Sequence, residues 1–129
     1  MTVDEAMAKA LAPVFGKDRV YNNVTPEILE RDLERNFKPF VIFKCNGGTH
    51  PATLHRMNDL GKDNYDVVVE VWGTRIGEVR KLAQNARLAL LQSGDFLAVH
   101  RYGGMVDHVE FGNKLFGTSQ DFSLWVSNS

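Results

Sequence analysis

The sequence is poor in cysteine, in long apolar runs and in charge of one sign, and each shortage excludes a class of protein. Its single cysteine, Cys45, excludes an intramolecular disulfide and a cysteine-rich zinc site. No apolar run reaches the length of a transmembrane helix, and the first residues lack a hydrophobic signal segment, so we expect neither membrane insertion nor secretion. The 15 basic and 16 acidic residues exclude a uniformly basic coat protein of nucleic acid. Any nucleic acid must therefore be held by a local groove and by stacking.

The remaining composition is that of an ordinary globular chain. Apolar residues make up 43% of the 129 residues and charged residues 24%, a balance that allows a packed core and excludes a disordered chain. A domain of this size buries roughly two-thirds of its unfolded surface. The sequence has neither internal repeats nor a low-complexity tract. We therefore expect one structural unit with a conventional core.

The first 36 residues carry helical signals. Thr2 and Glu5 have the spacing of a capping box, and apolar residues follow at helical intervals, so a first helix should end before Pro13. A threonine followed directly by a proline then predicts the start of a second helix over residues 26–36. We interpret residues 1–36 as an N-terminal helical extension.

From residue 37 onward the apolar pattern alternates, which is typical of strands, and one helical stretch after Gly73 interrupts it. The predicted strands are Pro39–Cys45, Thr53–Met57, Tyr65–Trp72, Phe96–Tyr102 and Phe122–Val126. This order fits a five-stranded OB barrel better than a βαβ fold, which needs helices between successive strands. The predicted fold class is mainly β with added helices. It comprises a five-stranded OB-fold barrel at residues 37–129, a helix between strands three and four, and two N-terminal helices.

The predicted third strand places a tryptophan outside the core. Val67, Val69 and Val71 alternate along it and form its core-facing side, so Trp72 lies on the opposite side with two acidic residues. An exposed aromatic residue on the second or third strand of an OB barrel stacks unpaired bases, at roughly 1–3 kcal/mol per base. The alternative is that the N-terminal helices fold back over Trp72, and the pattern leaves both open.

Basic and aromatic residues after this strand extend the candidate site. Arg75 follows Trp72 closely and begins a weakly basic segment that suits a phosphate-tracking groove. A long glycine-rich loop or ribbon is predicted over residues 102–117, where rings can stack and polar groups can read base edges. Its candidate ligands are Tyr102, His108, Lys114 and Phe116. The alternative is a solvated helix followed by a plain hairpin, whose aromatic residues cover one end of the barrel.

No arrangement of residues indicates catalysis. The four histidines are scattered, and none has the paired spacing of a metal site. The sequence has no glycine-rich phosphate loop and no nucleophile-elbow motif, and Cys45 is expected to be a small buried residue. We expect no enzymatic activity, no cofactor and no metal.

Three stretches together resemble the telomeric single-stranded-DNA-binding OB domains of the protection-of-telomeres proteins and of the telomere end-binding protein alpha subunit. They are Val67–Gly73, Gly94–Arg101 and Gly117–Val126. The family pattern has an aromatic residue before a small one at the end of strand three. A Gly-Asp turn then leads into a strand that ends in His-Arg. The resemblance covers about residues 38–127 and is most specific at residues 67–101.

The resemblance implies roles for individual residues. Trp72 takes the position of the family's base-stacking aromatic residue, and Asp59 that of an acid that helps read a guanine edge. The chain departs from the family in its short loop at residues 46–51. It also lacks the stacking tyrosine that often follows the His-Arg pair, so Tyr102 or His108 would take that place.

The resulting hypothesis is a non-enzymatic OB domain that binds single-stranded, G-rich telomeric DNA. By resemblance it would protect chromosome ends and regulate telomere length in the nucleus, with other telomere proteins as further partners and no membrane. A carboxylate suits guanine, because it accepts hydrogen bonds from the N–H edge of that base. The residues assigned to the DNA backbone are Lys44, Arg56 and Arg75, and those assigned to base edges are Asn58 and Asp59.

Two alternatives stay open at this point. One is an OB-fold module whose groove binds protein, with Trp72 as the interface anchor. The other is a generic binder of single-stranded DNA or RNA without telomeric preference.

Overall fold

The computed structural model describes residues 2–34, 37–47 and 62–127. In these ranges the α-helices are α1 (Val3–Phe15) and α2 (Ile76–Gln92), and short 3-10 helices lie at Lys17–Arg19 and Glu30–Glu34. The strands are β1 (Val20–Asn22), β2 (Phe40–Gly47), β3 (Lys62–Gly73), β4 (Ala98–Glu110) and β5 (Leu115–Ser127). No helix among the described residues is long and apolar enough to span a membrane.

The strands form one sheet in the order β1-β2-β3-β5-β4. β1 is parallel to β2, and the other neighbouring pairs are antiparallel. The predicted mainly β character with added helices is confirmed. The described sheet is open rather than closed into the predicted barrel, since its end strands β1 and β4 do not pair with each other. A barrel needs its first and last strands to meet, whereas here two helices cover one face of the sheet and seal the core.

The core lies between the two helices and one face of the sheet, which we call the helix-covered face. Val67, Val69 and Val71 are fully buried there, as their alternation predicted. Phe43 on β2 and Phe122 on β5 lie on the same face, because they pair with valines of β3 across the ladder. The helices close this core with small and apolar side chains, among them Ala6, Met7 and Leu11 of α1 and Val79, Ala83, Ala86 and Leu90 of α2.

Helix α1 begins as predicted and ends later than predicted. The Thr2 hydroxyl accepts a hydrogen bond from the Glu5 N–H at 3.2 Å, which confirms the capping interaction. The expected end before Pro13 is wrong, because the helix continues to Phe15. A proline in the last turn removes only one hydrogen-bond donor, and the helix stops at Gly16, whose φ is +93°.

The predicted α-helix over residues 26–36 is wrong for the part that is described. Residues 24–29 have no regular structure, and the 3-10 helix begins only at Glu30. The Asp32 carboxylate accepts the Leu29 N–H at 3.1 Å, a capping interaction that places the start of this helical turn directly after Leu29. Residues 35 and 36 lie outside the described ranges, as does the predicted strand Thr53–Met57.

The predicted loop over residues 102–117 is mostly strand. β4 continues to Glu110, a tight turn spans residues 111–114, and β5 begins at Leu115. The pairing of β4 with β5 shifts register between Tyr102 and Val106, and Gly103 has a φ of +75° there. The glycines therefore form a bulge within a long strand rather than a loop.

Candidate functional site

A row of aromatic residues crosses the face of the sheet opposite the helices, which we call the outer face. Phe40 on β2 pairs with Trp72 on β3, and Trp72 pairs with Gly117 on β5, which pairs with His108 on β4. These four positions point to the same side, because paired residues in a ladder share a face. The sheet therefore brings together side chains that are far apart in the sequence.

Trp72 lies flat across this row. A Cβ atom built on Gly117 would lie 2.6 Å from atoms Cδ2 and Cε3 of the indole, so only glycine leaves room for the ring. The imidazole of His108 stacks against the indole, with ring centroids 6.0 Å apart and an interplanar angle of 26°. His108 is held in place by Ser119, whose hydroxyl lies 3.0 Å from Nε2. The half-buried indole thus packs over Gly117 and stacks with His108.

A cavity of about 290 Å³ opens beside Trp72 on this face, and we call it the Trp72 cavity. Its wall is largely apolar, and its charged residues are Lys44, Glu70 and Glu110. The Lys44 ammonium lies 3.3 Å from the Glu70 carboxylate, which leaves Glu110 as the charge without an ion-pair partner in the described part of the chain. The apolar lining residues are Pro26, Ile28, Phe40, Ile42, Trp72, Phe111 and Leu115.

A second cavity of about 710 Å³ adjoins the first at Phe40 and is formed between β1 and residues 26–38. Its aromatic wall is built from edge-to-face contacts. The ring centroid of Phe40 lies 5.7 Å from that of Tyr21 and 6.1 Å from that of Phe37. Its charged lining residues are Arg19, Glu27, Arg31, Asp32 and Lys38. The basic residues thus lie at the β1 end of the outer face.

Away from that end, the outer face is acidic. Lys44 and Lys62 are the lysines that point to it, and the register places four carboxylates beside them. These are Asp66, Glu70, Glu110 and Asp121. Burial and the charges of Asp66 and Asp121 raise the pKa of Tyr102 above its ordinary value, as expected beside like negative charges. This part of the face attracts cations more readily than phosphates.

Among the described residues, two buried oxygen atoms on the outer face lack a hydrogen-bond partner. The Asn64 amide donates to the Ser123 hydroxyl at 2.8 Å and to the Leu124 carbonyl at 3.1 Å, but its Oδ1 is unpaired. Oδ1 of Asp66, one position along the same face, is also unpaired. No group of three or more histidine, cysteine, aspartate or glutamate residues in the described ranges could hold a metal ion.

The structure brings together only part of the predicted site. Trp72 and His108 stack on each other, and Lys44 lines the cavity beside them. Tyr102 lies on the same face but beside Val68, four residues along β3, which is about 13 Å away. Phe116 points to the opposite face and packs against the core.

The remaining predicted residues are spread more widely. Arg75 is exposed at the N-cap of α2, and Lys114 lies in the turn between β4 and β5. Arg56, Asn58 and Asp59 lie outside the described residues. Phe40 and Gly117 are site residues that the sequence interpretation missed. Their only sequence signal was strand pairing with Trp72, which one sequence does not reveal.

Five exposed apolar side chains lie on α2, directly before β4 and on β4, and we call this set the β4-edge strip. Val106 points to the outer face and Val109 to the helix-covered face. The five side chains are 48% to 55% exposed. They are Leu88, Leu91, Leu97, Val106 and Val109. The strip adjoins an edge strand whose outer hydrogen-bonding groups have no neighbouring strand in the described sheet.

Comparisons with known proteins bear on this fold. No family model and no curated protein matches the chain. The chain is similar to one in a solved structure titled "Virion of native gene transfer agent (GTA) particle", with a TM-score of 0.54 and 14% sequence identity. The similarity covers 97% of this chain and 94% of that chain, so the two share a fold over almost their whole lengths. The telomeric function stays a prediction.

Proposed function

We propose that this chain is a structural subunit that binds other protein subunits within a virion-type particle. The observation that carries the proposal is the β4-edge strip, in which five large apolar side chains on α2 and at β4 are each about half exposed. Exposed apolar groups scattered singly are normal, but Leu88 and Leu91 stand one turn apart on α2, and such a pair together with a free sheet edge favours a protein interface. This develops the protein-binding alternative of the sequence analysis.

The similarity to a chain of the gene transfer agent virion supports the particle context. The similarity spans both chains almost completely, so it concerns the whole fold described here and not a short motif within it. The acidic charges on most of the outer face also favour protein partners over the phosphates of a nucleic acid.

Co-sedimentation with particles tests this proposal. The tagged chain would be expressed in the organism that encodes it, and particles would be banded on a density gradient and probed for the tag. We expect the wild-type chain in the particle band and the double variant Leu88→Glu/Leu91→Glu outside it. Ala8→Glu adds a like charge to the exposed side of α1 and should band with wild type. A wild-type chain that never enters the particle band would overturn the proposal.

Single-stranded DNA binding is a second candidate, supported by the stacking of Trp72 and His108, two predicted ligand residues, on one face. It retains the predicted OB-type stacking of bases on the indole of Trp72, together with the telomeric role. Fluorescence anisotropy with a G-rich telomeric strand, its complement and the RNA version tests it. G-strand binding that weakens at least about tenfold in Trp72→Ala would support it, since one stacked base contributes about that much.

A further inference from the structure

We infer that the outer face of one molecule is the docking site for helix α2 of a second copy of this chain. The inference rests on the proposed function, because it names the partner of the β4-edge strip. It adds that the partner surface is the Trp72 cavity, so the two copies meet through different surfaces.

The exposed side of α2 has the composition of a docking helix. From Arg80 to Leu91 six residues share one side at helical spacing, and three of them are basic while none is acidic; the exposed Glu78 lies one turn earlier, in the first turn of the helix. They are Arg80, Lys81, Gln84, Arg87, Leu88 and Leu91. Leu88 and Leu91 are 51% and 48% exposed and stand one turn apart, which is the spacing of apolar anchors in helix-in-groove recognition.

The Trp72 cavity has the complementary composition. It is concave, its wall is mainly apolar, and its charged groups sum to one excess carboxylate, which is that of Glu110. Both α-helices pack on the other face of the sheet, so neither covers this cavity within the same molecule. Phe111 borders the cavity at the tip of the β4–β5 turn and is 40% exposed.

Charge complementarity between α2 and the Trp72 cavity favours a second copy of this chain as the occupant of the cavity. Arg80 is already paired with Asp107 of its own molecule, while Lys81 and Arg87 have no carboxylate within ion-pair distance in the described ranges. These free cations lie on the same side of the helix as the two leucines. The cavity offers an unpaired carboxylate beside an apolar wall, so the two surfaces match in both charge and polarity.

The geometry predicts a head-to-tail contact. The donor surface, α2, lies on the helix-covered side of the sheet, and the acceptor surface lies on the outer side. Each molecule therefore keeps one free donor and one free acceptor after pairing, so that the contact can repeat into a ring or a filament.

Mixing two disabled variants tests this contact. Leu88→Glu/Leu91→Glu removes the donor and keeps the acceptor. Phe111→Asp removes the acceptor and keeps the donor, and aspartate tolerates the φ of +53° at this position. We expect wild type to sediment as dimers and larger species in analytical ultracentrifugation, each variant alone as a monomer, and their equimolar mixture as a 1:1 dimer. Ala8→Glu should sediment as wild type, and circular dichroism confirms that each variant is folded.

Three outcomes would overturn the inference. A variant Phe111→Asp that still self-associates would mean that α2 or the strip meets itself. A mixture that stays monomeric, although wild type associates, would exclude the head-to-tail contact. A wild-type chain that stays monomeric at every concentration would exclude a second copy as the partner. The particle co-sedimentation described above can still succeed in all three cases, so failure here is distinct from failure of the proposed function.

A charge swap tests the electrostatic part of the contact between α2 and the Trp72 cavity. Arg87→Glu alone and Glu110→Arg alone should each weaken self-association by about tenfold or more, as reversal of one partner in a close interfacial pair does. The double variant Arg87→Glu/Glu110→Arg should recover most of the loss. A double variant that is weaker than either single variant would contradict the pairing of α2 with the Trp72 cavity.

Discussion

The two faces of the sheet are built from alternate residues of the same strands, yet only one of them is closed by helices. On the helix-covered face of β3 every inward position from Val67 to Val71 is fully buried. On the outer face, the alternating positions of the same strand hold Asp66, Glu70 and Trp72, which are only half-buried. The helix-covered face of the strands therefore forms the stabilising core, and the outer face is the one available for binding.

β2 does not follow this division, and that exception is informative. Phe40 and Ile42 point to the outer face, yet they are only 3% and 2% exposed, almost as buried as Phe43 on the opposite side. Residues 25–28 and the β4–β5 turn stand around them and form the wall of the Trp72 cavity. The outer face is thus partly closed at its β1 end, which places its concave site beside Trp72.

The largest expected effect comes from removing a ring from the helix-covered face. Phe43→Ala should destabilise the protein by about 3–5 kcal/mol in urea denaturation, because the sealed core cannot fill the cavity that remains. Phe40→Ala, three residues earlier, should cost clearly less, since water can enter the site from the two cavities that flank Phe40. Equal losses for the two variants would mean that both faces are equally sealed.

A smaller loss is expected where the outer face depends on a glycine. Gly117→Ala places a Cβ against the Trp72 ring, so it should destabilise the fold by about 1–3 kcal/mol and shift the indole fluorescence, read in a Trp125→Phe background. Gly104→Ala on β4 is the matched control, because its Cβ would have no atom within 4 Å. If both variants unfold together with wild type, Trp72 does not lie flat on the sheet.

Much of the difference between the two faces could be predicted from the sequence, but only where apolar and polar residues alternate within a single strand. The valines of β3 face the core and Trp72 faces away, as alternation alone indicates. The pairing of Phe40 and Gly117 with Trp72 depends on strands distant in sequence, so no local pattern contains it. The same applies to β1, whose three residues are too short to show a period.

The sequence-based predictions that the structure does not bear out also have local causes. Gly103 and Gly104 suggested a loop, because glycine interrupts most strands, but here they permit a bulge and β4 continues beyond them. The predicted helix from residue 26 had a good start signal, but the observed helical turn starts only at Glu30, where the Asp32 carboxylate accepts the Leu29 N–H. The barrel was inferred from the order of elements, which does not state whether the first and last strands meet.

A gain in stability is expected at Thr118, whose buried hydroxyl on the helix-covered face is unpaired within the described part of the chain. Thr118 is fully buried there, and its Oγ1 has no hydrogen-bond partner. Thr118→Val keeps the shape and removes the unpaired hydroxyl, so it should stabilise the protein by about 1 kcal/mol in urea denaturation. Thr25→Val, on an exposed residue, should change stability by less than about 0.5 kcal/mol. A loss in Thr118→Val would indicate that a water molecule or another group satisfies this hydroxyl.

The smallest effect concerns the margin of the helix-covered face, where Cys45 lies under the first turn of α1. Burial, together with a hydrogen bond and the negative charge of Asp4, raises the pKa of the Cys45 thiol from 9.0 to about 12. Since folding raises this pKa, the neutral thiol contributes stability fully below pH 9.0, and the contribution is lost as the pH rises toward about 12.

The same shift predicts slow alkylation of Cys45, because the thiolate is the reactive form. At a pH near the ordinary value of 9.0, iodoacetamide should label the folded protein far more slowly than the protein in urea. Asp4→Asn removes the negative charge and should increase the folded-state rate without changing the rate in urea. Equal alkylation rates for the folded and the unfolded protein would show that α1 does not shield Cys45 from solvent. In that case α1 protects only the deeper side chains, such as Met7.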